Sequence, residues 1–92
     1  MKVSKLIAAL SVCPDDAEVF FDSDGYACDI DTIHFSREAI EPGEYWGDTI
    51  IEDMWDDIVN DRVFHDFSDE EIERYRTLIK NDAPMKSVIL DI

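Results

Sequence analysis

Ninety-two residues, 46% of them hydrophobic, suffice for one domain with a modest core but leave no room for an enclosed cleft between lobes. Twenty-three acidic residues against eight Lys and Arg give a net charge of −15. That charge argues against direct binding to DNA, RNA or an anionic membrane, while the apolar content argues against intrinsic disorder.

The excess charge is confined to one half of the chain. Residues 15–61 hold sixteen acids and a single base, Arg37; the remainder holds seven acids and seven bases. Such asymmetry points to an interaction surface for a basic partner. Cys13 and Cys28 are the only cysteines. The start MKVSKLIAALSVCP does not read as a signal peptide, because Ser4 and Ser11 break its apolar run and PDD follows without a small-residue cleavage site. A cytoplasmic protein with reduced thiols is therefore expected, and no stretch is apolar enough to span a membrane.

In chain order, Val3, Leu6, Ile7 and Leu10 recur at helical spacing and predict a short helix from Ser4 to Val12, capped by Ser4 and stopped by Pro14. The segment AEVFFDSDGYACDIDTIHF reads as a β-hairpin turning at DSDG, with Gly25 free to take positive φ. Its second strand changes phase between Ile30 and Ile33, so a bulge at Asp31 or Thr32 is expected. SREAIEPGEYWG reads as a loop carrying Glu38, Glu41 and Glu44 beside Tyr45 and Trp46.

The spacing of Ile50, Ile51, Met54, Trp55, Ile58 and Val59 predicts one amphipathic helix over 48–61, opened by a Thr49–Glu52 capping box. Asp48, Glu52, Asp53, Asp56, Asp57 and Asp61 then fall on or beside its other half. At ~1.5 Å per residue they would supply roughly one charge per 3 Å of axis, close to the ~3.4 Å phosphate spacing of one DNA strand. Like-charge neighbours one turn apart would oppose that helix by about 1–2.5 kcal/mol. Two readings of the face stand open: a solvated surface in an acidic protein, or a surface selected for its charge.

A third helix is expected from Ser68, with Ser68 and Glu71 as a capping box and Phe67 and Ile72 as a hydrophobic staple. Its stripe is Ile72, Tyr75, Leu78 and Ile79, and Asn81 with Pro84 ends it. SVILDI closes the chain as a strand. The expected fold is α+β: a three-stranded antiparallel sheet from about 17–22, 26–35 and 87–92, with three helices packed on one face.

The stretches VSKLIAAL (3–10), PDDAEV (14–19), Gly25-Tyr26 and Asp29-Ile30 resemble a pattern of small α+β proteins from phages and bacteria, in which a short helix leads into a hairpin. The resemblance covers roughly the first 35 residues and the last six. It implies a scaffold and no activity.

No catalytic or cofactor signature accompanies the acidic block. DSDG fails as an EF-hand: with Gly25 sixth, Phe20 stands first, Cys28 ninth and Asp31 twelfth. Cys13, Cys28, His34 and His65 lack zinc-ligand spacing. Cys28 and His34, six strand residues apart, would lie ~20 Å from each other. The chain reads as a non-enzyme without cofactor or metal. In its carboxylates it resembles the phage DNA-mimic inhibitors, though it shares no motif with them. The expectation is an inhibitor that occupies the nucleic-acid site of a basic host protein such as a restriction enzyme, a CRISPR effector, a nuclease or a nucleoid factor. Its partner-binding residues would be Glu38, Glu41, Glu44, Tyr45, Trp46, Asp48, Glu52, Asp53, Asp56, Asp57 and Asp61. The alternatives are an adaptor using Tyr45 and Trp46 as aromatic anchors, or an accessory domain whose acidity serves solubility. Pairing of two copies to extend the charged surface is compatible with the sequence.

Overall fold

The computed structural model describes residues 1–21, 27, 29–60 and 67–91. The DSDG turn, Tyr26, Cys28, Asp61 and His65, and with them the calcium and Cys28–His34 tests, lie outside the described residues. The elements run α1 (Val3–Leu10), β1 (Glu18–Phe21), β2 (Thr32–Ser36), two 3₁₀ turns (Trp46–Asp48 and Glu52–Met54), α2 (Trp55–Asn60), α3 (Asp69–Lys80) and β3 (Ser87–Asp91). No helix among the described residues is long and apolar enough to cross a membrane.

The three strands form one mixed sheet in the order β1-β3-β2. β3 runs parallel to β1, pairing Val19 with Val88, and antiparallel to β2, pairing His34 with Ile89. The sheet is thus not the antiparallel one expected, and β1 and β2 are not hairpin neighbours. The reason lies in burial. SVIL carries consecutive apolar residues, and Val88 and Ile89, which point to opposite faces, are 0% and 2% exposed. A strand buried on both faces belongs at the centre of a sheet, and β3 takes that place between the two strands.

Both faces of β3 are covered, and packing of all three helices on one face is not what its burial shows. Val88 and Val19 line a cavity with Leu10 of α1 and Cys13. On the opposite face Ile89 packs with Ile40, Ile51, Phe20 and Trp46. A second cluster joins Ile50, Ile58, Ile72 and Tyr75, with Trp55, Phe67, Leu78 and Ile79 around them.

The helix expected over 48–61 is broken. Trp46–Asp48 is a 3₁₀ turn, Thr49 and Ile51 have extended backbones, Glu52–Met54 is another 3₁₀ turn, and only Trp55–Asn60 is α-helical. The Thr49 cap is absent; Ile51 precedes the second turn without a side-chain cap. Three effects act together. Thr49, Ile50 and Ile51 are β-branched, which disfavours helix. An extended chain sends neighbouring side chains opposite ways, so Ile50 enters one core cluster and Ile51 the other. The Ser36 hydroxyl donates to the Ile50 carbonyl at 2.7 Å, replacing a helical hydrogen bond.

α1 starts at Val3, with Lys2 at its cap position and no side-chain cap from Ser4. α3 follows the sequence closely. Ser68 accepts from the Glu71 N–H, Glu71 returns the bond, and Phe67 packs on the cluster containing Ile72. Its end is a Schellman turn: Ala83 N–H reaches the Leu78 carbonyl, Asp82 N–H reaches that of Ile79, and Asp82 takes a φ of 51°.

Candidate functional site

Two buried serines, paired across β2 and β3, hold the acidic segment on the sheet. Ser36 donates to the Ile50 carbonyl and accepts from the Glu38 N–H. Ser87 donates to the Glu38 carbonyl at 2.8 Å and accepts from the Ile40 N–H at 3.1 Å. Backbone polar groups that leave water need such partners, and here the side chains of β2 and β3 supply them. Residues 38–50 are thereby fixed in position although they form little regular structure.

Three of the expected partner-binding carboxylates have internal partners. Glu52 accepts from Arg37 Nε at 2.6 Å and from the Tyr75 hydroxyl at 2.7 Å. Arg37 also donates through Nη1 to the Ala83 carbonyl, and its backbone N–H reaches the Tyr75 oxygen. The hydrogen bond from Arg37 to Glu52 pushes the guanidinium further up. Burial pushes the fully enclosed Tyr75 hydroxyl up as well. Glu38 accepts from Arg74 Nε at 2.8 Å, which likewise raises Arg74. Asp53 bonds His34 Nδ1 at 2.9 Å, while Asp91 bonds Nε2 at 3.2 Å from the other side. Both nitrogens of His34 are therefore occupied, and its ring stacks on Trp46 with centroids 5.3 Å apart.

Of the rest, Asp61 lies outside the described residues. Glu41, Glu44, Asp48, Asp56 and Asp57 are exposed and have no ion-pair partner among the described residues. Asp48 and Glu44 border an open basin of about 450 Å³ where Arg37, Arg74 and Lys86 alternate with Glu38. The acidic surface therefore has a boundary of mixed charge on that side.

On the other side of Glu44 lies a cleft of about 310 Å³, lined by Phe20, Phe21, Gly43, Tyr45, Trp46 and Ile89, with Glu44 at its edge. Two glycines shape it. Gly43 takes a φ of 89° in the turn where Glu44 N–H meets the Glu41 carbonyl. Gly47 lets the Tyr45 ring lie against the backbone, since a Cβ there would stand 2.5 Å from that ring. Tyr45 and Phe21 are 72% and 70% exposed, an unusual state for two aromatics sharing a cleft. Trp46 is half-buried, serving the core edge with one part and the cleft with another.

Sequence reasoning placed Tyr45 and Trp46 in the site but missed Phe21, Phe20 and the roles of Gly43 and Gly47. An EPGEYWG run with two glycines among large aromatics was the available signal. Among the described residues no three His, Cys, Asp or Glu side chains converge as a metal site. The half-buried Cys13 thiol is pushed up by burial, away from the thiolate form that a nucleophile needs. Compared with protein-family models, curated proteins and solved structures, the chain has no match.

Proposed function

We propose that this protein is a non-enzymatic binding module that lays its acidic surface on the cationic site of another protein, one that ordinarily holds the phosphates of DNA or RNA. In this it would resemble the phage DNA-mimic inhibitors, its target being a host restriction, CRISPR, nuclease or nucleoid protein. The observation that carries it is a set of five carboxylates without an ion-pair partner among the described residues: Glu41, Glu44 and Asp48 on the segment anchored to the sheet by Ser36 and Ser87, and Asp56 and Asp57 on α2. Carboxylates already held in place pay little ordering cost on meeting Lys and Arg, which offsets their weaker charge relative to phosphate. The broken backbone removes an even helical charge ladder from the reading. Displacement rests on the sign and density of charge, without imitation of phosphate spacing. Glu38, Glu52 and Asp53 serve it indirectly, by holding the segment in shape.

A second reading, a protein adaptor that does not compete with nucleic acid, is favoured by one observation: the exposed Tyr45 within the acidic loop. Affinity capture from a host lysate, followed by competition with excess duplex DNA or RNA, separates the two. Release of the captured protein by nucleic acid supports displacement, whereas retention supports the adaptor.

A further inference from the structure

We propose that the cleft between Phe21 and Tyr45 is a receptor for an arginine side chain presented by a basic protein segment, with Glu44 pairing the guanidinium. The proposal rests on the reading of the protein as a module for basic partners and adds the residue type that its anchor point selects.

The walls supply the first part of the chemistry. Phe21 and Tyr45 are mostly exposed, the half-buried Trp46 and Phe20 line the cleft with them, and the buried Ile89 completes the lining. Such walls attract a cation through the negative faces of the rings. A planar, weakly hydrated guanidinium stacks on aromatic faces better than a compact, strongly hydrated ammonium does. The edge supplies the second part. Glu44 lines the cleft and has no ion-pair partner among the described residues, and it belongs to a loop that also carries Glu41, in its own turn, and Asp48, one 3₁₀ turn later. A purely apolar occupant would desolvate Glu44 without compensation. A nucleobase would stack equally well on the rings but bring its phosphate toward Glu44 and the acidic loop that carries it. An arginine satisfies walls and edge together.

The loop is also built to hold this shape empty. Gly43 and Gly47 permit the tight turn and the close approach of the Tyr45 ring, and Trp46 is braced from behind by stacking on His34. His34 in turn is clamped between Asp53 and Asp91. A preformed slot of this kind binds with little reorganisation.

The test uses the full chain and three capped peptides: one with three arginines separated by glycines, its lysine counterpart of equal charge, and its uncharged citrulline counterpart. Binding is followed by NMR at low ionic strength through the indole N–H of Trp46, assigned with W46F. The expected result is tighter binding of the arginine peptide than of the lysine peptide, with a shift of the Trp46 resonance. Y45A and F21A, both at exposed positions, should weaken arginine binding roughly three- to tenfold and erase the preference over lysine. The D56N/D57N pair should lower both affinities and keep the preference. Equal binding of the arginine and lysine peptides without a Trp46 shift overturns the cleft proposal and leaves the acidic-surface reading intact. Equal binding of citrulline overturns the cationic character of the slot. Failure of both charged peptides to bind overturns the proposal and the reading beneath it.

Discussion

Arg37 and Glu52 meet at 2.6 Å, so the only base in the acidic half of the chain neutralises a carboxylate that the amphipathic pattern would send to solvent. This pair joins the end of β2 to the second 3₁₀ turn, and Tyr75 of α3 closes the triangle. Glu52 is thereby a structural residue embedded in an interaction surface.

Neutralising different acids should therefore have opposite effects on stability. E52Q weakens two charge-assisted hydrogen bonds in a partly buried network and should cost about 1.5–3 kcal/mol. D56N/D57N relieves like-charge repulsion but also removes two acids that suit the first turn of α2, so it should lie within a few tenths of a kcal/mol of the parent. Urea melts of the two variants side by side decide it. Equal stability of E52Q and the parent would break the assignment of Glu52.

Tyr75 predicts an alkaline loss of stability. Burial holds its hydroxyl above the ordinary value of 10.0; the Glu52 carboxylate adds to the rise and the Arg37 N–H opposes it. The unfolded chain therefore releases this proton at lower pH than the folded one. The contribution is fully present below about pH 10 and is lost as pH climbs through the folded value. Denaturant midpoints should fall over that window in the parent. In Y75F, less stable at neutral pH for want of the hydroxyl's bonds, the fall should be shallower. A Y75F curve parallel to the parent would exclude Tyr75 as its source.

Placing β3 at the centre makes the C-terminal segment indispensable. A chain ending at Lys86 would leave β1 and β2, which are not neighbours, without a common partner. It should show no cooperative thermal transition. A milder variant, S87A, would leave the Ile40 N–H and the Glu38 carbonyl without their side-chain partner and should cost about 1–3 kcal/mol. A cooperative melt of the truncated chain, unchanged from the parent, would overturn this topology.

What could be read from the sequence was what local chemistry decides. The Ser68–Glu71 box, the Phe67–Ile72 staple and the Asn81 end of α3 depend on residues within a turn of one another, and they are found as expected. Strand neighbours are a non-local matter. DSDG suggested a hairpin, but nothing near it reveals that SVILD comes between the strands on either side. The break at Thr49-Ile50-Ile51 had a visible signal in three consecutive β-branched residues, outweighed in the reading by the apolar periodicity. Of the expected site, Tyr45 and Trp46 were legible as aromatics in an acidic loop. Phe21 was not, because the pattern 17–22 offered no way to tell an edge strand from a covered one.

The last expectation separates charge as function from charge as solubility. The variant E41Q/E44Q/D48N/D56N/D57N alters only carboxylates that have no ion-pair partner among the described residues. It leaves Glu38–Arg74, Glu52–Arg37 and Asp53–His34 in place. Its fold should be about as stable as the parent, because relieved repulsion offsets the loss of two first-turn acids from α2 and no hydrogen bond of these side chains to another described residue is lost. If these groups displace phosphates, capture of the partner should collapse in the same variant. Parent binding should weaken as salt rises, since exposed charge pairs across an interface are screened within ~10 Å at 0.1 M. Raised or equal stability with lost binding is a stability–function trade-off, and it is the signature of a surface kept for its charge. A variant that captures its partner at full affinity would end the displacement reading. The exposed aromatics Phe21 and Tyr45 would then remain as the residues on which recognition turns.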